Sequence, residues 1–365
     1  MDAIKVLIAS GGTGGHVIPA LALSDTLMER GIEVIFVTDN RGIVYIKDRP
    51  RMTTKVIRAG TIRKEPIRLI KDMIRMMVGI LQSFDLMRDY HPDVVIGFGG
   101  YPCFPPVFTA QILGIPSMLH EQNAVMGKAN RCLAKMCTRV ALSFPNFTGL
   151  DDRLKARTVV TGRPVSAGID ALWDHAYTPP EENGPFHLLI LGGSQGTAVL
   201  SSLIPQVLVE LPTSYRARLH VVHQILQKDL DSVRALYDQA GIKATTAPFI
   251  ENVPDHLAKS HLFMGRSGAM VTEICVAGLP AIYIPYPHHK DQQQLKNAHV
   301  QSQAGGAIVI DERTITKEEI ASTIMDLMDN PQKLAAMAKG AKSCGYPYAA
   351  QKLADEVINL VQQKK

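Results

Sequence analysis

A glycine-rich loop near the start of the sequence, Ser10-Gly11-Gly12-Thr13-Gly14-Gly15-His16, constrains the fold more than any other stretch. It follows a strand-like run and precedes a helix-like run that opens at Pro19. Glycines at this point let the backbone turn tightly and approach a ligand without a Cβ in the way. The start of the following helix offers free N–H groups that favour an anion such as phosphate. A tight turn that binds nothing would read the same way, so the motif alone leaves both interpretations open.

The arrangement recurs nearly half a chain later, where Leu188–Leu191 runs into Gly192-Gly193-Ser194-Gln195-Gly196. Strand-like and helix-like runs alternate around both loops, which predicts parallel sheets covered by helices on both faces. The sequence therefore predicts an α/β fold of two similar domains facing one cleft, joined by the irregular segment 164–185. The predicted strands are Lys5–Ala9, Glu33–Thr38, Thr54–Ile57, Val94–Gly97, Ser117–Leu119, Arg139–Leu142 and Thr158–Val160, then Leu188–Leu191, Arg218–His223, Lys243–Ala247, Leu262–Met264, Ala281–Ile284 and Ala307–Ile310.

Composition narrows the class of protein. With 365 residues, 46% of them hydrophobic and 20% charged, the chain is typical of a soluble α/β protein. Its five cysteines are scattered and form no Cys-x-x-Cys pair, which fits a reducing compartment without a disulfide or zinc framework. No signal-peptide layout is present, so we expect a cytoplasmic protein. The uncharged stretch Val94–Leu119 contains four prolines, which favours strand, loop and buried helix over a membrane span.

Positive charge is concentrated in the first domain. Residues 1–164 hold 22 Lys and Arg against 14 Asp and Glu, and residues 41–75 alone hold 11 against 3. This asymmetry indicates an anionic partner. Because no nucleic-acid motif accompanies it, a membrane surface or a lipid phosphate fits better than nucleic acid.

A basic amphipathic helix is predicted within residues 62–81, with Pro66 as its first helical position. One side carries Arg68, Lys71, Asp72 and Arg75. Such a helix either lies on anionic lipid or packs its apolar side on the sheet, and the sequence leaves both open. The apolar residues at helical spacing are Ile67, Ile70, Ile74, Met77, Val78 and Leu81.

Polar side chains follow two further predicted strands of the first domain. Gly97-Phe98-Gly99-Gly100-Tyr101 comes after one, and His120-Glu121-Gln122-Asn123 after another. With His16, these groups should meet at the carboxyl edge of the sheet, where such folds place their sites. Any one of them taken alone could be a cap or a hydrogen-bonded structural group.

The second domain carries signals suited to a nucleotide sugar. Arg266-Ser267-Gly268-Ala269 precedes a helix, and a helix N-terminus of this kind suits a diphosphate. Glu273 follows within that helix, where a carboxylate can accept hydrogen bonds from both hydroxyls of a ribose. Gln293 and Gln294 offer uncharged donors and acceptors for sugar hydroxyls.

Taken in order, these motifs make the sequence resemble the lipid-linked N-acetylglucosaminyltransferases of glycosyltransferase family 28. The resemblance runs from about residue 4 to residue 310, and its most specific part is His120–Asn123 combined with both glycine loops. It implies a GT-B fold, in which two Rossmann-like domains with parallel sheets face a central cleft. Residues 1–164 would bind the acceptor and associate with the membrane, and residues 165–346 would bind UDP-GlcNAc. A helix within residues 347–365 would pack back on the first domain.

The resemblance also implies an activity. It is inverting transfer of GlcNAc from UDP-GlcNAc to the 4-hydroxyl of the MurNAc of undecaprenyl-pyrophosphoryl-MurNAc-pentapeptide (lipid I), giving lipid II for peptidoglycan. The partners would be these two substrates and the anionic inner membrane surface, without nucleic acid, and the protein would lie peripherally on the cytoplasmic face. No cofactor or metal is implied, because helix N-termini would stabilise the leaving diphosphate. The Asp229-Leu230-Asp231 sequence is interpreted as surface.

Site roles follow from the resemblance residue by residue. His16 is the first choice for the base that takes the acceptor proton, and Glu121 is the second. Acceptor binding is assigned to Gly12, Tyr101, His120 and Arg163. Donor binding is assigned to Thr13, Gly14, Gly15, Asn123, Ser194, Ile250, Arg266, Ser267, Gly268, Ala269, Glu273, Gln293 and Gln294.

Two departures from the family pattern concern these contacts. Ser166 stands where the family carries arginine, and Arg163 is a candidate replacement three positions earlier. The segment from Arg266 to Glu273 is one residue shorter than usual, and one residue turns a helix by about 100°. The alternatives are a different GT-B enzyme, such as another lipid-linked glycosyltransferase or a sugar-nucleotide epimerase, and a non-catalytic sugar-nucleotide-binding scaffold.

Overall fold

The computed structural model describes residues 3–46, 49, 52–60, 65–145, 147, 152–193 and 197–363, with the backbone alone for Pro66 and Ile67. It separates into two compact units. The first unit comprises Met1–Ser166 together with Tyr348–Lys365, and the second comprises Ala167–Pro347.

The first unit is built on a seven-stranded parallel sheet with the order β3-β2-β1-β4-β5-β6-β7. Its strands are β1 (Lys5–Ala9), β2 (Glu33–Thr38), β3 (Thr53–Val56), β4 (Val94–Gly97), β5 (Ser117–Glu121), β6 (Arg139–Leu142) and β7 (Thr158–Val160). Its helices before residue 167 are α1 (Gly14–Glu29), α2 (Pro66–Tyr90), α3 (Phe104–Ile112), α4 (Lys128–Leu133) and α5 (Asp152–Lys155), with short 3₁₀ turns at Gly42–Tyr45 and Tyr101–Cys103.

The second unit repeats the plan on a six-stranded parallel sheet with the order β10-β9-β8-β11-β12-β13. Its strands are β8 (Phe186–Leu191), β9 (Leu219–Gln224), β10 (Lys243–Ala247), β11 (Leu262–Gly265), β12 (Ala281–Tyr283) and β13 (Ala307–Val309). Its helices are α6 (Ala167–Asp170), α7 (Ala198–Glu210), α8 (Thr213–Arg216), α9 (Leu230–Gln239), α10 (Val253–Lys259), α11 (Met270–Ala277), α12 (Gln293–Gln303), α13 (Lys317–Asp329) and α14 (Pro331–Ser343), with 3₁₀ turns at Ala171–Asp174 and Gln227–Asp229.

Both sheets are buried on two faces, as parallel sheets usually are. All four apolar residues Val6, Leu7, Ile8 and Ala9 of β1 are completely buried, and Leu188–Leu191 of β8 are at most 5% exposed. Strand order reverses between β1 and β4 in one sheet and between β8 and β11 in the other. Ligands of such sheets bind at the carboxyl ends of the strands beside this reversal. The predicted α/β fold is confirmed, and the predicted strands agree with the observed ones to within two residues at each end.

The start of α1 differs from the prediction. The helix begins at Gly14, five residues before Pro19, so His16 lies in its first turn rather than in the preceding loop. Glycine is a poor helix former and proline is common at the first helical position, which made Pro19 the natural start in the sequence. Pro19 is instead inside the helix.

Helix α2 begins at Pro66 as predicted but continues to Tyr90, nine residues beyond the predicted segment. Its outward face is apolar, whereas the face that packs inward includes the buried Asp72 and Ser83 and a close approach at Gly79. A Cβ at Gly79 would stand 2.1 Å from the carbonyl oxygen of Arg58, so only glycine fits there. The exposed apolar stripe consists of Ile70, Met73, Ile74, Met77 and Leu81, each 58–61% exposed.

After the second unit the chain returns to the first as helix α15 (Ala349–Gln362), which packs against α1. Its apolar face is at most 3% exposed at Leu353, Ala354, Val357, Leu360 and Val361. Asp355 pairs with Arg30, and Glu356 pairs with Arg139. Within the described residues, no helix is both long enough and apolar enough to cross a membrane.

Candidate functional site

The glycine loop after β1 is held by a carboxylate that sequence reasoning missed. Asp39, directly after β2, accepts hydrogen bonds from the backbone N–H groups of Gly12 and Gly42 at 3.0 Å each, and its other oxygen pairs with Arg41 at 2.9 Å. Gly12 has a φ of +88°, which favours glycine, and a Cβ on Gly11 would approach Asp39 Oδ1 to 2.8 Å. An acidic residue immediately after the neighbouring strand was the signal for this contact.

His16 projects from the first turn of α1 toward the ends of β4 and β5. Its Nδ1 lies 2.9 Å from the carbonyl oxygen of Phe98 and 2.8 Å from Oε1 of Gln122. A carbonyl oxygen only accepts, so Nδ1 carries the proton, and Nε2 of the neutral ring keeps its lone pair. The half-buried His16 side chain is therefore arranged to accept a proton at Nε2.

The glycines after β4 make room for that imidazole. A Cβ on Gly99 would lie 3.2 Å from His16 Nδ1, and one on Gly100 would lie 2.9 Å from the carbonyl oxygen of Gly11. Both glycines have positive φ, at +81° and +75°. The two glycine loops thus pack directly on each other, and Tyr101 follows them as a half-buried residue.

His120, assigned to acceptor binding, is completely buried instead. Its Nε2 donates to the carbonyl oxygen of Gly162 at 2.9 Å, and its ring stacks on Phe98 with centroids 5.1 Å apart. Burial lowers the pKa of His120 to about 4, with smaller contributions from Arg163 and His16. The ring is therefore neutral at ordinary pH. It lies in the protein interior behind the site.

Glu121, the second choice for the base, is 2% exposed, and its oxygens receive four hydrogen bonds. Oε1 accepts from the backbone N–H and the side-chain amide of Asn123 at 3.1 and 3.3 Å. Oε2 accepts from Gly127 N and from Asn130 Nδ2, both at 2.9 Å. With both oxygens engaged, the carboxylate holds the loop after β5 and positions the half-buried Asn123. This geometry favours His16 over Glu121 as the proton acceptor.

Arg163 was expected near the acceptor as a substitute for the family arginine missing at Ser166. It is 1% exposed, and its Nη2 donates to the carbonyl oxygen of Gly15 at 3.3 Å. Pro19 has no N–H to bond that carbonyl four residues earlier, so the guanidinium replaces the missing helical hydrogen bond. Arg163 therefore supports the first turn of α1 from inside the unit.

The other residues of α1's first turn differ in exposure. Thr13 is exposed at the N-cap position and makes no side-chain cap. Gly14 is buried against Tyr45, while Gly15 is half-buried. Backbone N–H groups at this N-terminus, with Thr13 beside them, suit an anionic group.

The second glycine loop is held in a parallel way. Gln224, at the end of β9, accepts from Gly192 N at 3.0 Å and donates to the carbonyl oxygens of Gly193 and Pro248 at 3.1 Å each. Its place corresponds to that of Asp39, beside the strand that precedes the loop, and sequence reasoning missed it too. Ser194, assigned to the donor diphosphate, lies outside the described residues.

The loop between β11 and α11, residues 266–269, contains four of the predicted donor residues. Ser267 Oγ donates to the carbonyl oxygen of Gln294 at 2.8 Å, and Asn297 Nδ2 donates to that of Ser267 at 3.2 Å. Arg266 is 7% exposed, with its Nη1 donating to the Ile284 carbonyl at 2.7 Å and to Glu312. These contacts join the ends of β11 and β12 to the start of α12.

Helix α11 begins at Met270, so Gly268 and Ala269 form its entry. Glu273 lies in its first turn and is half-buried, despite the shortened segment before it. Gln293 Nε2 lies 3.0 Å from His289 Nδ1, and Gln294 Oε1 accepts from Tyr286 N at 2.9 Å. Ile250, assigned to the uracil, is buried at 6% exposure.

Within the part of the chain that the structure describes, no group of three or more His, Cys, Asp and Glu side chains is arranged to hold a metal ion. Asp229 ends a 3₁₀ turn, and Asp231 lies in the first turn of α9. The structure links His16 to His120 through Gln122 in the first unit. It brings Arg266, Ser267 and Gln294 together in the second.

Comparison with known proteins identifies relatives for the whole chain. Residues 6–142 match the glycosyltransferase family 28 N-terminal domain, and residues 187–354 match the C-terminal domain of the same family. The UDP-N-acetylglucosamine–N-acetylmuramyl-(pentapeptide) pyrophosphoryl-undecaprenol N-acetylglucosamine transferase of Rhodospirillum centenum is 40% identical over 98% of this chain and 95% of its own length.

Solved structures agree. The crystal structure of Acinetobacter baumannii MurG superimposes with a TM-score of 0.80 at 30% identity, covering 98% of this chain and 99% of that one. A UDP-GlcNAc 2-epimerase from Neisseria meningitidis, bound to UDP-GlcNAc, superimposes with a TM-score of 0.68 at 15% identity, covering 98% and 100%. At that identity the likeness to the epimerase concerns the fold alone.

Proposed function

The chain belongs to glycosyltransferase family 28, and we propose that it transfers GlcNAc from UDP-GlcNAc to lipid I, giving lipid II for peptidoglycan synthesis. The relatives that match nearly its full length carry this activity in their names. The observation that carries the chemistry is the His16 imidazole, whose Nδ1 is held by two oxygen atoms while Nε2 keeps a lone pair. We therefore expect a peptidoglycan glycosyltransferase in which His16 acts as the base.

In the proposed reaction, Nε2 of His16 takes the proton of the acceptor 4-hydroxyl as that oxygen attacks the anomeric carbon. The bond from this carbon to the diphosphate oxygen breaks, and its electron pair leaves with UDP. One displacement inverts the anomeric configuration. The carbonyl oxygen of Phe98 stabilises the imidazolium by accepting from Nδ1.

We assign donor binding to the second unit. The N-terminus of α11, with Ser267 and Gly268 at its entry, is suited to the charge on the departing diphosphate. Glu273, in the first turn of that helix, is assigned to the ribose hydroxyls, and Gln293 and Gln294 to those of the GlcNAc. Residues 1–164, with the helix within residues 347–365, are assigned to the acceptor.

We propose that the enzyme acts at a membrane surface, the cytoplasmic face of the inner membrane. The support is the apolar stripe of α2, formed by Ile70, Met73, Ile74, Met77 and Leu81, each of which is 58–61% exposed. Arg68, Lys71 and Arg75 are exposed on the same helix. An apolar stripe flanked by cations fits the interface of an anionic bilayer.

The membrane proposal is tested by binding to vesicles that contain anionic lipid. Reversing Arg68, Lys71 and Arg75 to Glu should weaken binding strongly, because each cation near such a surface contributes about 1 kcal/mol. Turnover of a water-soluble lipid I analogue should change little. The matched control reverses the exposed Lys228, Lys243 and Lys339 of the second unit, which changes net charge equally. Equal vesicle binding by both triple variants would refute the docking surface.

The activity itself is tested by UDP release with and without a short-chain lipid I analogue. We expect release that depends on the acceptor and a disaccharide product. Hydrolysis or epimer formation from UDP-GlcNAc alone would favour the epimerase alternative. Unchanged cellular function in a His16→Ala variant without transferase activity would favour the scaffold alternative.

A further inference from the structure

A chain of hydrogen bonds runs behind His16 in the first unit. His16 Nδ1 lies 2.8 Å from Gln122 Oε1, and Gln122 Nε2 lies 3.2 Å from His120 Nδ1. His120 Nε2 in turn lies 2.9 Å from the carbonyl oxygen of Gly162. Gln122 is 6% exposed, so its amide is shielded from solvent and makes its hydrogen bonds to the protein.

The orientation of the Gln122 amide follows from its contacts. The backbone carbonyl oxygen of His120 lies 3.0 Å from Nε2 and only accepts, so the NH₂ end faces His120. The His120 ring agrees, because its Nε2–H donates to Gly162 and its Nδ1 is left to accept from the amide. The oxygen end of the amide must then face His16, whose Nδ1 is the donor.

We propose that Gln122 is a positioning residue for the transfer reaction: together with the Phe98 carbonyl, its amide oxygen holds Nδ1–H of His16, so that Nε2 presents its lone pair to the acceptor hydroxyl. This inference rests on the proposed function of His16 as the base. His120 acts one step further back, since it fixes which end of the Gln122 amide faces the site. A neutral amide thereby takes the place that a carboxylate occupies in many histidine dyads.

The effect falls on turnover rather than on donor binding. When Nε2 takes the proton, the ring becomes a cation, and its Nδ1–H donates more strongly to Gln122 Oε1. The interaction is therefore stronger in the transition state than in the ground state, which is the condition for raising kcat. Donor binding should change little, because Gln122 is 6% exposed and offers almost no surface to a ligand.

The kinetic test replaces Gln122 with methionine, which has similar volume but neither donates nor accepts usefully here. We expect kcat to fall roughly 10- to 100-fold, the range for a hydrogen bond to a charged group, with an unchanged KM for UDP-GlcNAc. Gln122→Glu is not a suitable rescue, because its second oxygen would face the carbonyl oxygen of His120, which only accepts. The control is Gln111→Met, which removes another amide of the same unit that donates to Leu133 O.

An unchanged kcat in Gln122→Met, or a loss in kcat matched by an equal rise in the KM for UDP-GlcNAc, would overturn the positioning role. If the methionine variant does not fold, Gln122→Asn provides the same test, because it keeps the amide but withdraws it by one methylene. A kcat equal to that of the unsubstituted protein in Gln122→Asn would count against the role.

A spectroscopic test needs no turnover. In protein labelled with ¹⁵N-histidine, His16 is identified by the resonances lost in His16→Ala, and its ring shifts report which nitrogen is protonated. We expect the Nδ1–H tautomer in the unsubstituted protein and a larger Nε2–H fraction in Gln122→Met. An Nε2–H tautomer in the unsubstituted protein would overturn the inference. Failure of the proposed function would look different, as absence of acceptor-dependent UDP release by the unsubstituted protein.

Discussion

The carboxyl edges of the two sheets hold their polar groups in different ways. In the first unit, His120, Glu121 and Gln122 are at most 6% exposed, and the network they form ends at His16. In the second unit, Glu273 and Gln293 are half-buried at the starts of helices. Buried contacts also occur at the second edge, as between Ser267 and Gln294, but Glu273 and Gln293 keep part of their side chains exposed there.

This difference separates two tasks. A connected, buried network fixes the orientation and protonation of one reactive group before substrate arrives. Half-buried groups at helix starts remain accessible to a ligand. Substitutions at the first edge should therefore change turnover and stability, and substitutions at the second should change the apparent affinity for the donor.

The largest effect is expected at His16, the reactive residue of the first edge. His16→Ala should lower kcat roughly 10²- to 10⁴-fold, the usual contribution of a general base, with little change in the KM for UDP-GlcNAc. Steady-state UDP release with a lipid I analogue measures both constants. His299→Ala, an exposed histidine of the second unit, is the control. A loss smaller than about tenfold in kcat would remove His16 from the role of base.

The next test concerns the buried carboxylate of the first edge. Glu121→Gln places an NH₂ group among four hydrogen-bond donors and should destabilise the first unit by roughly 2–3 kcal/mol. For a unit of this size that is a fall of roughly 5–10 °C in its thermal midpoint. Calorimetry measures the midpoint, with the exposed Glu251→Gln as control. A midpoint equal to that of the control would mean that the carboxylate does not hold the loop.

The pH dependence of stability tests the neutral histidine at the back of the network. His120 has its pKa lowered to about 4 by burial, whereas the unfolded chain takes up this proton near 6.5. Between these values the unfolded state binds more protons, so stability is full above pH 6.5 and falls as the pH drops toward 4. The loss should be roughly 2 kcal/mol between pH 7 and pH 5.

Buried histidines of the second unit act in the same direction, because burial lowers the pKa of His223 to about 3 and that of His261 to about 4. The contribution of His120 is therefore the difference between the unsubstituted protein and His120→Gln in urea unfolding at the two pH values. Identical pH dependence in the two proteins would contradict a neutral, buried His120.

The smallest expected effect belongs to the second edge. Glu273→Gln should raise the KM for UDP-GlcNAc about tenfold, because a charge-assisted hydrogen bond to the ribose is replaced by a neutral one. The thermal midpoint should stay within about 2 °C of the unsubstituted value, since Glu273 is half-buried, whereas Glu121 is 2% exposed. An unchanged KM, or a destabilisation like that of Glu121→Gln, would erase the contrast between the edges.

Most of the fold could be predicted from the sequence, because the signals for its strands and helices are local. Apolar runs bounded by glycine loops marked the strands, and their alternation with helix-like runs predicted two parallel sheets. The start of α1 was missed, because Gly14 and Gly15 disfavour a helix and Pro19 resembled its first residue. Arg163, 144 residues after Pro19, supports that unusual turn, and no local pattern connects the two positions.

The site was readable only in part, for the same reason. The sequence placed His16, His120 and Glu121 at strand ends, and the structure links His16 to His120 through Gln122. The sequence did not reveal which polar residues are buried. His120 and Arg163 are buried by contacts with residues distant in sequence. Asp39 and Gln224 were missed although each ends or follows a strand, since neither lies in a glycine loop.

Two amphipathic helices of the first unit illustrate the same limit. Helices α2 and α15 both carry apolar residues at helical spacing. The apolar face of α15 is buried against α1, whereas that of α2 faces outward over Ile70, Ile74 and Met77. Periodicity identifies an apolar face but not what covers it.

Helix α15 also has a consequence for the time course of synthesis. Its apolar face covers part of the core around β1 and α1, yet residues 167–347 must be translated between those segments. At 5–20 residues per second this interval lasts about 10–40 s. During this interval the core surface that α15 will cover stays exposed in the first unit. The second unit is continuous in sequence and can already fold. The first unit, which the second interrupts in the sequence, is therefore the last to complete its folding.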